Sequence, residues 1–305
     1  MTGSTLASPT SRSPRSEGAA RDDRRRTTDD RQAANDHDSS LVFRPSSPPE
    51  LAPPAADQGR LEGRVERVAE LGGAERAQMY ELLERYFCGV TRAQFEADLA
   101  EKEWAVLMAD GQSGRIQGFS TLMRFRTTVD GQAVVAFFSG DTVIDREYWG
   151  ETVLPRLWSQ HVFGLAAAIA DARPYWFLIT SGYKTYRFLP VFFREFYPTY
   201  LRPTPPAMQR LLDALGQRKF PQEYDPETGV VRLAAPAALR PGVADIAPRR
   251  LDDPHVAFYA AANPGHVYGH ELACITELSP ANLTPAGRRM LGSRQQAVGG
   301  AGLCR

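Results

Sequence analysis

The chain has 305 residues, 43% of them hydrophobic, with 36 basic and 36 acidic side chains; this allows one large domain or two small ones, at an ordinary globular composition. Zero net charge excludes a general electrostatic pull toward nucleic acid or an acidic surface, so no nucleic-acid partner is expected. Three scattered cysteines, Cys88, Cys274 and Cys304, exclude a disulfide framework or zinc motif and fit a reduced cytoplasm, and no run reaches the ~18 apolar residues of a membrane span.

Residues 1–60 stand apart in composition, with seven prolines, nine arginines and nine acidic residues. So little apolar surface cannot offset conformational entropy, and a disordered tail is expected. Folded structure is expected from about Leu61. Arg64 to Leu71 reads as a strand. Ala74 to Phe87 carries Met79, Leu82, Leu83 and Tyr86 at helical spacing. Thr91 and Gln94 form a capping-box pattern that starts a second helix ending near Lys102.

Three strands follow: Trp104 to Asp110, Arg115 to Val129 and Gln132 to Ile144. Asp130-Gly131 is a hairpin turn, so they form an antiparallel meander. Ser139-Gly140 in the third strand points to a bulge, since glycine inside a strand often marks one. Tyr148 to Ala170 reads as a long helix, in which Pro155 is tolerable only in the first turn.

The next segment is aromatic: 11 of the chain's 30 aromatic residues fall between Tyr175 and Tyr200. It opens as a buried strand, Tyr175 to Thr180. It then passes through Ser181-Gly182 into a helical run holding Tyr183, Lys184, Tyr186 and Arg187. Polar groups at the end of a buried strand sit where α/β folds place ligands, and they are also what a plain helix start requires. Lys184 is one of three lysines, beside Lys102 and Lys219, against 33 arginines.

Beyond Pro198 the prolines 203, 205 and 206 read as a linker, Ala207 to Arg218 as a helix, and Glu223 to Thr228 as loop. Gly229 to Leu233 is a short strand. A helix opened by Asp253-Pro254 runs to Ala262, and a strand spans Glu271 to Glu277. Residues 201–278 are expected as an extension packed on a domain of residues 61–200, and residues 279–305 as a loose tail.

Two helices, three antiparallel strands, a long helix, a strand and a helix, with Val143-Ile-Asp-Arg-Glu-Tyr-Trp-Gly150 leading into the long helix, resemble the GNAT acetyltransferase superfamily from about Arg64 to Tyr200. The resemblance implies an α/β, GNAT-like fold: a mixed, mainly antiparallel central sheet flanked by helices. It also implies acyl-CoA as co-substrate. In the family, backbone donors between the strand end and the helix start bind the pyrophosphate, using the helix N-terminus as an anion site. That role would fall to Val143, Arg146, Gly150 and Glu151. The family's loop carries Arg or Gln, then two close-approach small residues; Trp149, Thr152 and Leu154 stand there in this chain. Val191 or Phe192 occupies the place of its general-acid tyrosine.

Acyl transfer to an amine needs a base, an oxyanion donor and an acid for the thiolate. The family's bulge frees a backbone amide for the thioester carbonyl. Asp141 just past it is the base candidate, or a strand-end residue held by backbone donors. Tyr183 and Tyr186 are acid candidates. Lys184 and Arg187 are candidates for binding a carboxylate or phosphate on the substrate, with Arg187 on an aromatic ring as the structural alternative. Arg146 would neutralise phosphate or form a surface ion pair. His266, His270 and Glu271 have helical metal-ligand spacing but lack a third ligand on a secure helix, and no metal is expected. The expected activity is acyl transfer from a CoA or carrier thioester to a small-molecule acceptor. The alternatives are an inactive GNAT-like binding module, or an enzyme of another class built on the Tyr183–Arg187 cluster.

Overall fold

The computed structural model describes residues 61–243 and 245–292; the tail expected over residues 1–60 lies outside them. In chain order the elements are β1 (Leu61–Arg67), α1 (Gly73–Tyr86), β2 (Phe87–Cys88), α2 (Arg92–Ala100), β3 (Trp104–Asp110), β4 (Ile116–Val129) and β5 (Gln132–Ile144). Next come α3 (Val153–Ala167), β6 (Arg173–Thr180), α4 (Tyr183–Tyr186), α5 (Phe188–Phe192) and α6 (Pro206–Lys219). The series ends with β7 (Tyr224–Asp225), β8 (Val230–Val231), β9 (Ala238–Leu239), α7 (Pro254–Ala262), β10 (Glu271–Glu277) and α8 (Pro285–Leu291).

Local chemistry accounts for many of these boundaries. The Thr91 side chain accepts from Gln94 N at 3.2 Å and caps α2. Asp130 and Gly131 both have positive φ, 50° and 75°, the geometry of the two-residue turn that matches strand twist. Pro206, Pro254 and Pro285 each open a helix, where the missing N–H costs nothing. Pro155 sits in the first turn of α3, so the helix begins at Val153. The residues ahead of it form a 3-10 turn, Arg146–Tyr148, and a loop.

Eight strands form one sheet in the order β1-β3-β4-β5-β6-β10-β8-β7. All neighbours are antiparallel except β5 and β6. A parallel pair needs a crossover, and α3 supplies it. Side chains alternate between two buried faces. On one face Val135, Phe137, Trp176, Leu178 and Cys274 pack with α3, α4, α5, α7 and α8. On the other, Val134, Ala136, Phe138, Phe177 and Ile275 pack with α6, while Leu107, Phe119 and Val143 pack with α1 and α2. Where α3 crosses β1, a Cβ on Gly63 would collide with Leu157 and Val153, so glycine permits the close approach.

The expected α/β arrangement, a mainly antiparallel sheet flanked by helices, is present. Three expectations change. Residues 201–278 do not simply lie on a finished domain: β10 pairs with β6 along its length and β8 pairs with β10, so they extend the same sheet. Tyr224–Asp225, expected as loop, forms a short strand with β8. The chain after Ser279 is not loose as far as it is described. Thr284 caps α8 through Gly287 N at 3.1 Å, and Leu283 and Leu291 are buried against the α3 side.

Candidate functional site

The sheet parts between β5 and β6. Their parallel pairing runs from Val134↔Arg173 to Ser139↔Leu178 and then stops. At that point the β4–β5 register slips: Leu122 faces Ser139 and Ser120 faces Thr142. Gly140 and Asp141 therefore oppose Thr121 alone, which is the expected bulge. Beyond it β5 keeps only β4, and β6 keeps only β10, leaving a wedge between two parallel strands.

A buried pin holds the apex. Ser139 Oγ accepts from Trp158 Nε1 at 3.1 Å and from Trp176 Nε1 at 3.0 Å. The indoles lie 4.5 Å apart, centroid to centroid. On the opposite face the bulge glycine admits a lysine: a Cβ on Gly140 would meet Thr121 Oγ1 at 2.5 Å and Lys102 Cε at 2.6 Å. The Lys102 side chain is only 6% exposed. Its ammonium donates to Asp98 O at 2.9 Å and lies 5.8 Å from the Phe138 ring. Lys219 reaches the same ring at 5.6 Å and pairs with Glu101 at 2.6 Å. Two of the three lysines thus converge on the wedge.

Asp141 stands in this cluster. Loss of hydration raises its carboxyl to about 6, against the opposing charge of Lys102 and with help from Asp98. Burial, with the repulsion of Lys219, lowers Lys102 in turn. Glu271, at the start of β10, is raised to about 8 by burial and then by Asp141 and Asp98. Asp141 and Glu271 both keep partial solvent exposure as residues, while desolvation dominates the shift of each carboxyl.

The other expected residues divide. Val143 is buried among the α1 and α2 side chains. Arg146, Gly150 and Glu151 are exposed in the loop before α3, where Gly150 has φ 103°. Arg146 N donates to Tyr86 Oη at 2.7 Å, and its guanidinium donates to Gly242 O at 2.9 Å and lies over Trp149. The Lys184 ammonium sits 3.4 Å from the Trp149 ring centroid and donates to Val243 O at 2.7 Å. Burial, with Arg146 and Arg250 nearby, lowers it to about 8. Lys184 and Arg146 therefore meet across Trp149.

Tyr183 and Tyr186, expected as acids, stand away from the wedge cluster of Asp141, Lys102 and Lys219. Both are buried in the α3-side core. The Tyr186 hydroxyl donates to Pro198 O at 3.0 Å, and burial pushes it far above the usual phenol range. Arg187 pairs with Asp253 at 3.2 Å, the residue that caps α7. His266 lies within a 3-10 turn, Pro264–Tyr268, and His270 follows the left-handed Gly269 that ends it, so α-helical ligand spacing is lost. Among the described residues no three His, Cys, Asp or Glu side chains converge to hold a metal, and no helix is long and apolar enough to cross a membrane.

The α3 start suits an anion only in part. Thr152 precedes the helix without a side-chain cap bond, so the first-turn amides of this 15-residue helix remain for an external acceptor. Pro155 removes one donor, and the carbonyls of Gly242 and Val243 occupy the two neighbouring cations. Sequence reasoning missed Ser139, Lys102, Lys219 and Glu271 as members of the site. The rarity of lysine was the one pointer to Lys102 and Lys219.

No protein-family model and no curated protein matches the chain. Among solved structures, a probable N-acyltransferase from Enterococcus faecalis V583 is similar at 17% identity over 44% of this chain and 33% of its own, TM-score 0.34. A Trypanosoma brucei acetyltransferase is similar at 20% identity over 48% of this chain and 100% of its own, TM-score 0.34. A GNAT family N-acetyltransferase from Escherichia coli, solved in complex with CoA, is similar at 17% identity over 44% of this chain and 70% of its own, TM-score 0.32. The match spans a third of the first of these proteins. At this level of likeness the architecture rests on the chain's own topology: an antiparallel meander, a helical crossover, and a parallel pair that parts at a bulge.

Proposed function

We propose that the protein transfers an acyl group from a CoA or carrier thioester to a small amine acceptor at the β5–β6 wedge. The observation that carries this reading is the bulge itself. It ends the parallel pairing at Ser139↔Leu178 and sets Asp141, with a carboxyl raised to about 6, beside the opening. A base with that affinity is ionised at neutral pH yet still accepts a proton readily. The unpaired edge of β5 supplies backbone groups for the thioester. The uncapped first turn of α3, with Arg146 and Lys184 beside it, would take the donor's phosphates in place of the family's glycine loop. The aromatic surroundings favour an apolar or bulky acceptor or acyl chain.

A second reading is a GNAT-like binding module without catalysis. Thr152 and Leu154 at the two close-approach positions favour it, because side chains there block backbone approach to phosphate. So do the Gly242 and Val243 carbonyls on Arg146 and Lys184.

Thermal shift with acetyl-CoA, longer acyl-CoAs and free CoA separates the two, since a ligand that binds the folded state raises its melting temperature. At 100 times Kd the stabilisation is about 2.7 kcal/mol, several degrees in Tm. The proposal expects shifts that weaken in Arg146→Ala. No shift with acetyl-CoA, the longer acyl-CoAs or free CoA would favour the binding module or an enzyme of another class built on the Tyr183–Arg187 cluster.

A further inference from the structure

Glu271 lies about 130 residues after Asp141 in the sequence, yet the strand registers bring both to the same end of β6. Ser139 pairs with Leu178 on β6, and Gly140 and Asp141 share one level in the bulge, so Asp141 stands level with Ile179. Leu272 pairs with Thr180, so Glu271 stands level with Ser181. Asp141 and Glu271 therefore flank the end of β6 from either side. Without the splay, two strand spacings separate their backbones by about 10 Å across the strands.

They also share a face. Glu271 has the parity of Ala273 and Ile275, which pack toward α6. Asp141 faces Lys102 and Asp98 from the α2 side. The groups around the pair are Asp98, Glu101 and Lys102 from α2 and its C-terminal turn, and Lys219 from the end of α6. Thr121 Oγ1 lies against Gly140 in the bulge, is buried, and has no hydrogen-bond partner. Such a hydroxyl costs free energy where it stands unless something at the bulge bonds to it.

A thiolate leaving the wedge needs an acid, and the tyrosines near it do not offer one: Tyr183 is buried and the Tyr186 hydroxyl is bound to Pro198 O. Resting on the acyl-transfer reading, we propose that Glu271 is the general acid that protonates the departing thiol, working opposite Asp141 as the base. The acceptor's neutral amine nitrogen attacks the thioester carbonyl carbon. As the C–N bond forms, an N–H proton passes to Asp141. As the C–S bond breaks, the sulfur keeps its electron pair and takes the Glu271 proton. Proton exchange from Asp141 to Glu271 through solvent restores both. Environments that push two neighbouring carboxyls apart, to about 6 and about 8, divide base from acid, and an acid near 8 matches an alkyl thiol of about 8.5.

The test measures thiol release from acetyl-CoA with benzylamine as acceptor, using the full chain across about pH 5–10, a range spanning the raised values of the two carboxyls and the ordinary thiol value. The base must be ionised, so the rate falls below about 6; the acid must be protonated, so it falls above about 8. Glu271→Gln, isosteric with the protonated acid, should lose about 10²-fold or more in rate together with the upper limb. Glu271→Asp should restore a titrating limb. With S-phenyl thioacetate, whose thiolate leaves without a proton, the Glu271→Gln deficit should disappear. An upper limb unchanged in Glu271→Gln, or an equal deficit with both donors, overturns the assignment while leaving acyl transfer standing. No benzylamine-dependent release by the wild type at any pH, with no thermal shift by acyl-CoA, overturns the acyl-transfer reading and this inference with it.

Discussion

Asp141→Asn is expected to slow acetyl transfer from acetyl-CoA to benzylamine by about 10²–10⁴-fold, the usual range for a lost general base, with the fold retained. The substitution preserves shape at the bulge, and Lys102 keeps Asp98 O and Glu101 as partners. The loss should fall on kcat at neutral pH, because the proposed acyl-donor contacts lie on the strand edge and the α3 start, which the substitution leaves in place. The low-pH limb of the rate profile should vanish with it. A folded Asp141→Asn protein with wild-type kcat would remove Asp141 from the reaction.

Ser139→Ala is expected to be among the most destabilising single-atom deletions in the chain. One hydroxyl oxygen accepts from two buried indole N–H groups. Removing it strands both donors, at about 1–3 kcal/mol each, or roughly 2–6 kcal/mol together. Trp158→Phe deletes one donor along with its need for a partner and should cost less for that bond, although it also trims the core. Urea unfolding of both variants checks the order. A Ser139→Ala loss below about 1 kcal/mol, within the reach of an ordinary surface change, would mean that this hydroxyl does not pin the apex.

The elements were largely legible because their boundary chemistry is local. The Thr91 cap, the Asp130-Gly131 turn and the prolines before α6 and α7 each act within a few residues. The bulge was legible for the same reason, through Gly140 in a strand. Thr284-Pro285 carries a comparable start for α8, overlooked because the surrounding residues are small and polar. The site was much less legible. Asp141 could be found from the bulge, but Glu271 joins it only through the pairing of β10 with β6. No local periodicity reports a pairing between segments so distant in the chain. The burial of Tyr183 and Tyr186 was not legible, because tyrosines in the first turn after a strand look alike whether they face a cleft or a core. Here the rings of Phe196 and Tyr259 close around Tyr186, and both partners come from later in the sequence.

Hydrogen–deuterium exchange with and without acetyl-CoA most directly tests the claim that the wedge between β5 and β6 is the thioester site. The account predicts added protection at residues 139–144, 150–156 and 178–184, which border the parting strands and the α3 start. Protection confined to the opposite end of the sheet, around the 370 Å³ depression lined by Tyr175, Arg194, Tyr197 and Asn282, would contradict it, as would unchanged exchange throughout at saturating acetyl-CoA.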